Sequence, residues 1–206
     1  MVLALEIIAY IWKTKPVVMQ LRHLPVLSLF LLICSCGHTP PKGANGVVYK
    51  SAVEYNDYIV SRQSRVIENM MKLTEVAQIN LDSAGHLLDK YVNETGGMIT
   101  DLKGMPDYNG DSSLRDVALE MFSFYRNVFN KDYRDIIHLR SEQDGLSTET
   151  EDQISSILKR IGEEEEGYDS RLQRAQENFA KRNDMKLVES EMQKKFEDRM
   201  KEKEEK

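Results

Sequence analysis

The sequence predicts an all-α fold: an up-down-up-down four-helix bundle with a projecting, charged C-terminal helix. Apolar residues recur at threes and fours in four successive stretches between Tyr55 and Phe179. Short breaks separate those stretches, which makes consecutive helices antiparallel neighbours. No run shows the alternating β-branched pattern of a half-buried strand. At 206 residues the chain is about one domain long, and its 30% charged and 41% hydrophobic content describes a polar surface around a modest core.

The first helix opens on Ser51-Ala52-Val53-Glu54, a capping box in which the hydroxyl accepts from the Glu54 amide and the carboxylate reaches back. Its apolar stripe is Tyr55, Ile59, Val66, Met70, Leu73 and Ala77. A second stripe, Leu81, Ala84, Leu88, Tyr91, Met98 and Leu102, passes through Gly96-Gly97. Each glycine costs about 1 kcal/mol relative to Ala, so the pair marks a close helix contact or a break, with a weakened but continuous helix favoured. Pro106-Asp107-Tyr108-Asn109-Gly110-Asp111 is a turn. Pro106 ends the helix before it, Asn-Gly supplies positive φ, and Asp111 or Ser112 caps the next helix.

The third stripe is the richest: Leu114, Val117, Ala118, Met121, Phe122, Tyr125, Val128, Phe129, Tyr133, Ile136 and Ile137. Five aromatics fall between Phe122 and Tyr133, so this helix should contribute most to the core. Gln143-Asp144-Gly145 breaks the pattern, and Thr148-Glu149-Thr150-Glu151 is a second capping box. The fourth stripe runs Ile154, Ile157, Leu158, Ile161, Tyr168, Leu172, Ala175 and Phe179. The bundle thus covers 49–188, with helices about 40 Å long at 1.5 Å per residue. The segment 189–206 is mostly charge, with Met192, Phe196 and Met200 at every fourth position. That spacing drifts off a heptad seam and supports a coiled coil only weakly.

The N-terminal region follows another logic. Residues 1–18, MVLALEIIAYIWKTKPVV, fit no simple pattern, but from Met19 the order becomes that of an export signal. Arg22 and His23 form a short basic start, and Leu24 to Ile33 form a ten-residue apolar run, too short to span a bilayer. Translation from Met19 is the simplest reading; a genuine long N-terminal region from Met1 is the alternative. The run closes on Ile33-Cys34-Ser35-Cys36, which resembles the bacterial lipobox, an aliphatic residue at −3 and a small residue at −1 before a modified cysteine. Ser35 leaves room for a peptidase beside Cys36, whereas Ile33 crowds Cys34. Residues 1–35 therefore read as a lipoprotein signal peptide and Cys36 as the lipidated residue. Cleavage by the ordinary signal peptidase and an uncleaved anchor are the competing readings. Acyl chains on Cys36 would supply more than the two signals that stable anchoring needs.

Several consequences follow. Both cysteines and the one tryptophan, Trp12, lie at or before position 36, so no disulfide can form beyond it. Residues 36–206 keep 25 basic and 33 acidic residues, a formal charge of −8. That sign disfavours both nucleic acid and anionic lipid headgroups as partners. Residues 36–48, rich in Gly and Pro, read as a flexible tether. No acidic residue follows Cys36 directly, and Gly37 differs from the aspartate that retains lipoproteins at the inner membrane, which favours the outer one.

Residues that could carry chemistry are few. His23 and His38 lie before the bundle, and His86 and His138 fall on helices. Asp135-x-x-His138 is a lone match to the spacing that paired metal-binding helices need twice. Asp107, Asn109 and Asp111 copy the start of an EF-hand loop, but Ser112 and Ala118 stand where Gly and Glu are required. Glu163 to Glu166 read as a solvated helix face. No catalytic, cofactor or metal residue is assigned, and the expected role is non-enzymatic: structural, or binding envelope proteins or further copies of itself. The alternative is a small apolar ligand held in the core near Phe122, Tyr125 and Phe129.

Tyr55-Asn56-Asp57-Tyr58-Ile59-Val60 with Gln63, the turn from Pro106 to Asp111, Phe124-Tyr125, Phe179-Ala180-Lys181 and Met185-Lys186-Leu187 together give the chain a family likeness. It resembles helical surface lipoproteins of Bacteroidetes-type bacteria and of spirochaetes such as Leptospira, over roughly residues 36–190. The resemblance implies a lipidated cysteine and a helical fold, and it implies no reaction.

Overall fold

The computed structural model describes residues 40–141 and 147–187. Helix α1 spans Ala52–Ile79 and α2 spans Leu81–Lys103. Helix α3 (Ser113–Asn127) passes through one π turn (Val128–Asp132) straight into α4 (Tyr133–Ser141), and α5 covers Thr148–Arg182. Among the described residues these form four rods, and the fold is an all-α helical bundle.

Local chemistry sets the ends of the rods. Ser51 caps α1 as expected, its Oγ accepting from the Glu54 amide at 3.2 Å. The return bond of the box is shifted by one residue, because Glu54 accepts from the Lys50 amide at 2.8 Å. A single extended residue, Asn80, turns the chain from α1 into α2. Its amide donates to Val76 while its side chain accepts from the Ser83 amide, both at 2.8 Å. Helix α2 runs unbroken through Gly96-Gly97, and the Arg126 side chain lies 3.3 Å from where a Cβ on Gly96 would stand.

Between α2 and α3, Asn109 and Gly110 take φ of 53° and 79°, so Tyr108 and Asp111 exchange both backbone hydrogen bonds across the turn. Asp111 Oδ1 then accepts from the Ser113 amide at 3.0 Å. The α5 cap differs from expectation by one residue: Ser147, not Thr148, accepts from the Thr150 amide at 3.2 Å, and Thr148 is already helical. At the far end of α5, Asp184 adopts φ 50° and the Met185 amide returns to the Ala180 carbonyl at 2.8 Å, which seats Met185 against the core.

Cross-contacts give the directions. Arg62 pairs with Asp101 at 3.0 Å and Arg65 with Glu94 at 2.7 Å, so α1 and α2 are antiparallel. Gly96 faces Arg126 and Asp89 pairs with Arg134, which sets α2 against the α3–α4 rod in the same sense. Phe124 stacks on Tyr168 with centroids 4.7 Å apart, and Glu120 pairs with Arg171 at 2.8 Å, so α5 runs back along α3. Ile59, Leu73, Leu88, Leu102, Met121, Phe122, Phe129 and Phe179 are buried along the common axis. None of the described helices is long and apolar enough to cross a membrane. The Gln143-Asp144-Gly145 break and the charged tail of 189–206 lie outside the described residues.

Candidate functional site

Leu24–Ile33 and Cys36 also lie outside the described residues, which begin at Pro40, four positions after the cysteine. The segment that follows departs from the expected flexible tether over 36–48 in its described part. From Pro41 onward the chain is a folded strap on the end of the bundle. Its two arms meet where Tyr49 donates to the Pro41 carbonyl at 3.0 Å and Gly43 to the Val47 carbonyl at 2.8 Å. Gly46, at φ 81°, makes the reversal between them.

Asn45 fastens the strap to the end of α2. Its amide donates to the Gly104 carbonyl at 3.3 Å, and its Nδ2 donates to the Asp101 carbonyl at 3.0 Å and the Tyr49 hydroxyl at 2.8 Å. The backbones touch closely: a Cβ on Gly104 would stand 2.6 Å from the Asn45 amide nitrogen, and one on Gly43 would stand 2.5 Å from the Gly104 oxygen. Gly43, one of the glycines that suggested slack, is thus a residue that permits contact.

Beneath the strap lies an aromatic cluster. Tyr49 meets Tyr55 and Tyr58 edge-on at 5.1 and 5.4 Å, and Tyr55 stacks on Phe179 at 5.5 Å. Such pairs add about 0.5–1.5 kcal/mol each beyond the area they bury. Burial pushes the Tyr49 phenol up to about 12. The Tyr55 hydroxyl donates to the Pro106 carbonyl at 2.9 Å, and Arg115 holds the same connector through the Met105 carbonyl and Asp107, both at 2.8 Å.

A second cluster occupies the middle of the bundle, where the sequence suggested only apolar packing or solvent. Glu165, expected on a solvated face, is 1% exposed. Its Oε1 accepts from the Tyr125 hydroxyl at 2.8 Å, while Oε2 has no hydrogen-bond partner within the protein. Burial, and then the charge of Asp169, hold its carboxyl well above the usual carboxylate range; the Tyr125 bond opposes them and is outweighed. Burial likewise raises the Tyr125 and Tyr133 phenols, with Glu165 adding to both.

Further along, Gln176 donates to Asn56 at 3.1 Å and joins α5 to α1, and Gln63 approaches the Met121 sulfur at 4.0 Å. In the π turn Asp132 is buried and receives Arg160 at 2.6 Å. Chemically, this seam sets a carboxyl whose burial favours the neutral form next to a phenol. A readable signal existed: position 165 lies four after Ile161 and seven before Leu172, on the apolar stripe itself.

The remaining candidates have structural surroundings. Asp107 pairs with Arg115, Asp111 with Arg182, and Asn109 donates to Asn183 at 3.1 Å, so the EF-like residues tie the turn to α3 and α5. His86, Asp135 and His138 are exposed, and among the described residues no group of three or more His, Cys, Asp or Glu is placed to hold a metal. Phe122 and Phe129 are wholly buried; Phe122 meets Tyr125 edge-on, and Phe129 lies against Tyr91 and Tyr133. No family model, no curated protein and no solved structure matches the chain.

Proposed function

We propose that this chain is a bacterial envelope lipoprotein whose helical bundle is a non-enzymatic structural or protein-interaction module. Residues 1–35 direct export and are removed, Cys36 carries the acyl chains, and the outer membrane is the favoured destination. The observation that carries this reading is the passage Leu24–Cys36: a ten-residue apolar run with a basic start, closed by small Ser35 before cysteine. The likeness to helical surface lipoproteins points the same way. Its partners are the membrane, through the acyl chains, and other envelope proteins or further copies of this chain.

The decisive variant is Cys36→Ala. It should release the domain from membranes and abolish labelling by radioactive or alkyne fatty acid, and unchanged membrane retention would contradict the lipid assignment. Mature protein should also show no tryptophan fluorescence, since Trp12 precedes the cleavage point. Crosslinking in intact cells, followed by identification of the attached protein, then names the partner.

A further inference from the structure

The two ends of the bundle differ in how far they can stand from Cys36. The strap is pinned at Pro41 through the Tyr49 amide and at Asn45 through Gly104. Five residue steps therefore separate Cys36 from the folded domain, and a fully extended chain covers them in about 17 Å at most. The Asn80 corner stands the length of α1 away, about 42 Å for its 28 residues. A flexible tether reaching to position 48 would have let the domain tumble. The docked strap shortens that reach.

Charge separates the ends in the same sense. Around the strap, Lys42, Lys50, Lys103 and Lys186 are exposed, and so are Glu54, Asp107 and Asp184, so this end is of mixed charge. Val48, 41% exposed, pairs with Lys42 across the strap. At the opposite end the first turns of α5 and α2 expose Glu149, Glu151, Asp152 and Asp82. An anionic headgroup surface is repelled by the acidic turns of the second end and meets balanced charge at the first.

Resting on the lipid-anchor reading, we propose that the strap end is a membrane-facing surface. It lies against the headgroups of the bilayer that holds Cys36, with Val48, Lys42 and Lys50 at the interface. The Ile79–Leu81 corner, where Ile79 is 87% exposed, points away and is the part presented to partners.

Mature protein has no thiol beyond the acylated Cys36, so Val48→Cys and Ile79→Cys each provide one labelling site on the acylated mature chain. Each variant is labelled with a fluorophore and reconstituted in phosphatidylcholine–phosphatidylglycerol vesicles that carry headgroup nitroxides. Flotation is read first, then quenching. The expected result is co-flotation of both variants, strong quenching at position 48 and little at position 79. Co-flotation with equal quenching, or stronger quenching at 79, overturns the orientation and leaves the anchor standing. Acylated protein that stays out of the floated fraction overturns the anchor and the orientation together.

Discussion

The strap end and the middle of the bundle are built from the same helices, yet they are held by opposite means. At the strap end Tyr49, Tyr55, Tyr58 and Phe179 bring large rings together, and the hydroxyls of Tyr49 and Tyr55 are each hydrogen-bonded. In the middle, Glu165, Gln63, Asn69 and Asp132 are buried with at least one polar atom lacking a partner in the protein. Burying apolar rings is favourable in itself, whereas burying polar groups costs free energy unless every atom is bonded. The strap end therefore carries stability. The middle carries specificity and a dependence on protonation, at some cost in stability.

The largest expected effect tests the stabilising half of that contrast. Phe179→Ala removes the ring that stacks on Tyr55 and meets Tyr108, and should cost about 3–5 kcal/mol in urea unfolding. A loss below 1 kcal/mol would mean that the cluster collapses around the gap and that the strap end is not the firm one.

Next in size is Gly104→Ala. The new methyl would push on the Asn45 backbone, so a loss of about 1–3 kcal/mol is expected, with faster tryptic cleavage after Lys42. Cleavage as slow as in the parent would show that the strap absorbs a methyl, and that the contact at Gly104 is looser than described.

Glu165 sets the smallest effect at acid pH, and one that grows with pH. Its folded pKa is raised, the reverse of the usual paired carboxylate. Below the ordinary glutamate value of 4.5 both folded and unfolded chains hold the proton, and the residue brings no penalty. As pH rises, the unfolded chain ionises first, and stability falls by up to about 1.4 kcal/mol per pH unit until the folded group also ionises. Glu165→Gln keeps an acceptor for Tyr125 without the charge. It should match the parent near pH 4 and become progressively the more stable protein toward pH 8. A difference that stays constant across that range would place an ionised carboxylate in the core.

Much of this was legible in the residues. The capping serine at 51, the Asn-Gly turn at 109–110 and the four stripes depend on contacts within a few positions, which a local pattern records. Glu165 was misread because a glutamate among Glu163, Glu164 and Glu166 resembles its neighbours by composition. Only its register on α5 separates it from them. The π turn at Val128–Asp132 left no local mark either; it accompanies the inward turn of Asp132 toward Arg160, a residue 28 positions away.

By itself the sequence determined an all-α bundle, the serine cap that opens its first helix and the Asn-Gly turn between its second and third. Those features rest on interactions between near neighbours, whose geometry the backbone supplies. Tertiary structure alone decided that the Gly- and Pro-rich segment after position 40 is a docked strap, and that one glutamate of four is buried beneath Tyr125. Both depend on partners far along the chain, Gly104 for the strap and Tyr125 for Glu165. Whether glycine gives slack or close contact, and whether a carboxyl is solvated or protonated, is set by what packs against it.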